Sequence, residues 1–464
     1  MKKNQHFRPS RISVAVILAL ATPAGVQMAY AGAGFGDNKD KLGNAVKVPT
    51  FYANSPSGLR PAADCFDTTG NAAVPATGGL CDTGTPLRKF VDTLPGLGSA
   101  NYNNLGQYIP VAVADTTTYT HTDPVTKVVT YDDYYEIAVV DYAEKMHSDL
   151  PKATRLRGYV QLETATNAAV SKHVALTNAD GTPVLLPNGN QAYGVDKAHY
   201  LGPLISATKG RAVRIKYYNL LPTGVAGNLF IPVDHTIPGA GLGPDNVNSF
   251  TENRAAIHLH GNDAPSISDG NPHQWIAPAG ETTAYNAVDP NTGLHLGKGA
   301  SVQPVPDMPD AGNGAQTLYF PNNMSGRFMF YHDHTSGLTR LNVYAGVAAG
   351  YVINDPTEAA MVAAGTLPGS TVTVNGTSTV VADQIPLVIQ DKTFVPKDIA
   401  QQDAKWNKQF NGTAVVAANQ WGQPGDLWFP HVYETNQDPS SFDGTNPPGR
   451  WDWGQWFWPV FPSV

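Results

Sequence analysis

Glycine and proline punctuate this chain so densely that long regular helices have little room: 45 Gly and 37 Pro stand among its 464 residues. Proline fixes φ and removes a backbone donor, and glycine inside an element costs conformational entropy, so both interrupt helices and central strands alike. Short strands joined by turns fit such a chain better. Val, Thr, Tyr and Phe recur in short runs and only 15% of residues are charged, which argues against a coiled coil or a disordered polymer. The net charge of −8, with no Lys/Arg cluster, argues against a nucleic-acid partner, because nothing gathers cations against phosphates.

The two ends of the reading frame differ in character. Lys2, Lys3, Arg8 and Arg11 lead into the apolar run from Ile12 to Ala21, and Ala29-Tyr30-Ala31 precedes Gly32. A basic start, an apolar middle and small residues at the close are the layout of a cleavable secretory signal over residues 1–31. No later segment approaches the ~18 apolar residues of a spanning helix. The mature chain is therefore expected to be secreted, periplasmic or at the cell surface, with no transmembrane segment. Only Cys65 and Cys81 are available for thiol chemistry. They flank a Gly/Thr/Ala-rich stretch, and in an oxidising compartment a disulfide is the natural reading, with a metal-thiolate pair as the alternative.

Residues 32–86 read as an extended arm carrying that disulfide. Beyond it Tyr135, Ile137 and Val139 alternate with Glu136 and Ala138, and Val213, Ile215 and Tyr217 alternate with Arg214 and Lys216. A strand begun near Gly346 closes at Ile353, and the stretch Leu156, Gly158, Val160 is a weaker candidate. Half-buried strands bounded by Gly, Pro or Asn predict a sandwich or barrel over residues 87–355. Residues 356–383 turn Ala-rich and then Thr/Gly/Ser-rich, as an interdomain linker does. An apolar strand at Ile385–Ile389, with Pro386 near its start, opens residues 384–464, the beginning of a second domain cut short. Of eight Trp, all but Trp275 lie at or after position 406. The run from Trp451 to Pro459 would be a large apolar patch if exposed, the core of a small closing unit, or an aromatic platform for carbohydrate.

The chemistry is concentrated in Ala255-Ala256-Ile257-His258-Leu259-His260-Gly261 and in Arg327-Phe328-Met329-Phe330-Tyr331-His332-Asp333-His334. On a strand, residues i and i+2 share a face about 7 Å apart, so each His-x-His projects two imidazoles the same way. Two such strands side by side make a nest of four. Neutral imidazole suits copper, zinc, iron or nickel, provided a partner on its other nitrogen fixes the tautomer. A binuclear hydrolase pattern would need Asp then His where Asn262 and Asp263 stand, and a cupin would need a Glu that does not appear between His260 and Glu281.

These two motifs resemble the first-domain copper motifs of the multicopper oxidases, the family of laccases and bilirubin oxidases. Ser268-Asp269-Gly270-Asn271-Pro272-His273-Gln274-Trp275 and Thr339-Arg340-Leu341-Asn342-Val343-Tyr344-Ala345-Gly346 are similar to its bacterial coat-laccase branch. The resemblance is most specific from 254 to 355 and implies an all-β, cupredoxin-like Greek-key β-sandwich: one complete domain plus the start of a second. It implies copper as cofactor, with His258 on a type 2 ion and His260, His332 and His334 on a type 3 pair, in a cluster that reduces dioxygen to water. It also implies a proton-relaying role for Asp269, although Asp-Gly is equally a turn dipeptide. The family's His-x-x-His-x-His and His-Cys-His motifs are not found: His431 is the one histidine after His334, and no cysteine follows Cys81. The type 1 copper that accepts electrons from a small-molecule or metal-ion reductant has no thiolate here. The expected function is thus the dioxygen-reducing portion of an oxidase, inactive until joined by a C-terminal portion in the same or another chain. The rival expectation is a non-catalytic secreted copper-binding or assembly module of the same fold.

Overall fold

In a computed structural model of the chain, the described residues are 90–231, 250–281 and 297–374, with shorter pieces at 59–61, 80–82, 237–241, 377–382, 385–390 and 423–427 and the single positions 87, 233, 243, 392, 394 and 395. The expected signal segment, the Cys65–Cys81 pairing, His431 and the Trp451–Pro459 run lie outside them.

The architecture is an all-β, cupredoxin-like sandwich. Outlying ladders pair β1 (Leu59–Pro61) with β2 (Leu80–Asp82), β3 (Thr120–Thr122) with β4 (Val129–Tyr131), and β7 (Val174–Ala175) with β8 (Tyr193–Gly194). The first main sheet runs β12 (Ala315–Phe320), β10 (Val213–Asn219), β5 (Asp133–Glu144) and β6 (Thr154–Gln161). The second runs β11 (His258–Leu259), β13 (Arg327–His332), β14 (Ala348–Asn354) and β9 (Ile205–Thr208). The chain crosses repeatedly between the sheets, which is why β10 lies parallel to β5 and β14 parallel to β9 while the other neighbours are antiparallel.

The alternation in β5 has a cause on each side. Tyr135, Ile137 and Val139 face the space between the sheets, where they meet Ile215, Tyr217, Leu259, Tyr331 and Tyr351. Ala138, Val140 and Tyr142 are buried as well, in a second cluster with Leu156, Leu229, Phe230 and Leu341 on the other face. The half-buried strand expected from the pattern is therefore covered on both faces along its middle. Phe394 and Leu427 also enter that second cluster, so two pieces from beyond residue 384 pack into the first sandwich. Thr154 donates its hydroxyl to the Gly425 carbonyl at 2.7 Å, and Lys152 pairs with Asp426 at 2.6 Å.

The weak candidate around Gly158 is the full strand β6. Glycine there reflects a close approach: a Cβ would stand 3.1 Å from the Tyr142 ring and 3.2 Å from the Gly346 carbonyl. Gly346 (φ 121°) ends α1 (Thr339–Ala345), a helix that leads into the strand expected from near Gly346, and β14 starts two residues later. Residues 356–383 carry α2 (Pro356–Ala363), capped by the Asp355 side chain on Thr357 N–H, and a hairpin of β15 (Gly369–Val374) with β16 (Thr377–Ala382). The strand expected at Ile385–Ile389 does not form. Residues 385–390 pair with no other strand among the described residues, and Ile385 and Ile389 are exposed. An apolar run with no partner edge lacks the ladder that makes it a strand.

Candidate metal centre

The register of β11 on β13 decides how the histidines meet. His258 stands opposite His332 and Leu259 opposite Tyr331. One step further, His260 N–H donates to the Phe330 carbonyl at 3.0 Å, which sets His260 opposite Phe330. The i+2 rule thus yields a lattice of three imidazoles and one phenyl ring on this face. The fourth imidazole, His334, comes from beyond the end of β13 and stacks on His258, with ring centroids 4.6 Å apart. The nest read from the two motifs is present, in a staggered form. Neighbouring ring centroids in it are separated by 4.6 to 5.7 Å.

Backbone carbonyls set the tautomers. His258 Nδ1 lies 2.5 Å from the Asp269 carbonyl, His332 Nδ1 2.6 Å from the Asp333 carbonyl, and His334 Nδ1 3.0 Å from the Gly270 carbonyl. A carbonyl only accepts, so each of these imidazoles carries its proton on Nδ1 and leaves Nε2 as a bare donor to an ion. His260 differs: its Nδ1 faces His332 Nε2 at 3.2 Å. In the ion-free chain that contact is a hydrogen bond from His260 to His332. One ligand nitrogen each from His258, His260 and His332 lies within 4.8 Å of the others. Burial disfavours the imidazolium of His258 and lowers its pKa, with the neighbouring His334 and His260 adding to the effect. Burial likewise pulls His332 down to about 4, again helped by its histidine neighbours. Both are therefore neutral near pH 7, the form that ligates.

Two residues not counted among the site residues in the sequence, Gly270 and Asp333, hold this arrangement. Gly270 (φ 71°) follows Asp269 in a tight turn, and a Cβ on it would lie 1.9 Å from the Ile257 carbonyl. Only glycine lets the turn lie against the His258 strand and offer carbonyls to two histidines from different motifs. Asp333, between His332 and His334, is fully buried. Its carboxylate accepts from Ala256 N–H (2.8 Å), Thr335 N–H (3.0 Å), the Thr335 hydroxyl (2.8 Å) and Asn342 Nδ2 (3.1 Å), so it ties the approach to the first motif, the exit from the second and helix α1 together. Asn342 in turn accepts from the buried Arg157 at 3.3 Å, and Arg157 pairs with Asp141 at 3.1 Å. The signal for Asp333 was an acid enclosed by two histidines at the end of an apolar strand.

Asp269 presents its carbonyl to the nest, and its carboxylate Oδ1 stands 3.7 Å from His258 Nδ1 with the side chain 42% exposed. His273, in the same loop, is exposed and outside the cluster. Four imidazoles thus converge on one face of an all-β sandwich, three of them with Nδ1 against a backbone carbonyl, a donor set of the kind that suits a transition metal. No family model matches the chain. Among curated proteins, the laccase of Bacillus subtilis (strain 168) is 28% identical over 225 residues, 48% of this chain and 30% of the relative. The laccase of Bacillus stratosphericus is 28% identical over 261 residues, 56% of this chain and 34% of the relative. A multicopper oxidase homologue of Oryza sativa subsp. japonica is 30% identical over 159 residues, 34% of this chain and 21% of the relative. Over part of its length the chain is similar to laccases and other multicopper oxidases. It spans about a third of the length of the laccases it matches.

Proposed function

We propose that this chain supplies half of the ligand set of a trinuclear copper site that reduces dioxygen to water. The observation that carries the reading is the staggered nest: three imidazoles with Nδ1 bound to carbonyls and a fourth whose Nδ1 faces a neighbour's bare Nε2 at 3.2 Å. Those donors fit copper, which takes neutral imidazole readily. When bound, copper would relay to dioxygen the four electrons taken from the reductant, while the four protons needed to form two waters would come from solvent. His258 would serve a type 2 ion, and His260, His332 and His334 a type 3 pair. The chain's own part is to orient these nitrogens, and to keep His258 and His332 neutral, before an ion arrives. Asp269, with its carboxylate at the solvent edge beside His258, would take protons from water and pass them inward. Electrons would come from a phenol, a pigment or a metal ion through a type 1 copper whose thiolate lies in another portion, since no cysteine follows Cys81. The basic and apolar pattern of residues 1–31 supports export. Among the described residues no helix is long and apolar enough to cross a membrane.

The test is a copper count per chain. Wild type should retain copper after dialysis, and the double variant His258→Ala plus His332→Ala should lose most of it; equal content in the two would remove the nest from consideration as a copper site. Oxygen uptake with a phenolic reductant then separates oxidase from carrier. The chain alone should be silent, and activity should appear only with a portion that carries His-Cys-His. Copper retention without such rescue would favour the non-catalytic copper-binding or assembly reading.

A further inference from the structure

Three of the four nest histidines have a backbone carbonyl on Nδ1, and His260 does not. Its side chain is also the exposed member of the convergent trio. An exposed imidazole whose Nδ1 is held by another side chain and not by the backbone can still turn about its χ2 torsion, which is broad and soft. Yet its Nδ1 must face His332 Nε2 for the two to share an ion. The neighbour able to restrict it is Phe330. The strand register sets Phe330 directly opposite His260 and two residues before His332 on the same face. Its ring lies nearly parallel to both imidazoles, 4.8 Å from His260 at 22° and 5.3 Å from His332 at 29°. At 44% exposure it is a large apolar side chain that the core does not require.

We propose that Phe330 is a positioning residue for the His260–His332 pair: by stacking on both rings it fixes their planes, in which the hydrogen bond from His260 Nδ1 to His332 Nε2 then selects the ring edge, so the pair is set for one shared ion. The inference rests on the copper reading of the nest and adds a residue that touches neither ion nor substrate. Stacked rings prefer offset parallel contact, and a flat phenyl backing two imidazoles limits their rotation without competing for their nitrogens. Loss of such a supporting contact commonly weakens metal affinity about 10–100-fold.

The experiment compares the full chain as wild type, Phe330→Ala, Phe330→Tyr and His332→Ala. Copper affinity is measured by competition with a chelator, and the His260 tautomer in metal-free protein is read from nitrogen-15 NMR. Phe330→Ala should bind copper about 10-fold or more weakly and lose the Nδ1–H signature of His260, with an unchanged thermal midpoint because the ring is half outside the core. Phe330→Tyr, which keeps the flat ring, should restore both. Wild-type affinity and an intact tautomer signal in Phe330→Ala would overturn the proposal. So would a common affinity loss in Phe330→Ala and Phe330→Tyr with the tautomer unchanged. If His332→Ala binds copper as well as wild type, the copper reading itself fails, which is a separate result.

Discussion

Gly270 is the position at which a single added carbon should do most harm. Alanine there must displace the Ile257 carbonyl, 1.9 Å from its Cβ, or swing the turn away and withdraw the carbonyls of Asp269 and Gly270 from His258 and His334. Gly270→Ala should cost roughly 1–3 kcal/mol in urea denaturation and lower copper retention as well. Asp333→Ala is expected to cost about 3 kcal/mol, because it strands the buried partners Ala256 N–H, Thr335 and Asn342; denaturant midpoints at constant m-value check it. His332 gives the metal-free chain a pH signature. Its folded pKa of about 4 lies below the ordinary 6.5, so between pH 6.5 and 4 the unfolded chain binds the extra proton and stability falls as pH is lowered. Below about pH 4 this contribution is constant. Unfolding free energies measured from pH 7 to 4 should slope less in His332→Gln than in wild type, by up to about 3 kcal/mol across the window.

At the scale of elements, Leu427 offers the clearest prediction. It has no exposed surface and packs in the cluster on the outer face of β5 and β6, so Leu427→Ala should destabilise the first sandwich by about 2–5 kcal/mol, read as an earlier melting of the whole sandwich. That contact also marks what a local reading could not supply. The core strands were legible because Tyr135, Ile137, Val139, Val213, Ile215 and Tyr217 follow the two-residue period of a sheet. The site was legible because His-x-His puts both rings on one face. The stagger was not, because register is a relation between strands and is set here by hydrogen bonds between β11 and β13 that neither segment encodes alone. Helix α1 escaped notice because seven residues hold too few periods to stand out, and its stop at Gly346 depends on the close approach to β6. The segment Ile385–Ile389 reads as a strand by composition, yet composition cannot provide a partner edge.

Across the whole molecule, folding and ion uptake should be linked. An ion that binds the folded nest and not the unfolded chain stabilises by mass action, about 2.7 kcal/mol at a free concentration of 100 times Kd. Calorimetric melting of the wild type should therefore rise with added copper, while the double variant His258→Ala plus His332→Ala should melt at one temperature throughout. The nest sits on one face of β11 and β13, beside the exposed rings of Phe328 and Phe330, so the gain should be felt by the second sheet first.

The anchors of the nest make His258 its hinge pin. His258 and His334 hang from adjacent carbonyls of one turn, at Asp269 and Gly270, while the backbone of His258 lies in β11 opposite His332. His260 and His332 are bound to each other. One imidazole therefore fastens the turn to the sheet, so whatever moves the Asp269–Gly270 turn pulls on a ring rooted in the sheet, and whatever shifts the β11–β13 register pulls on the turn.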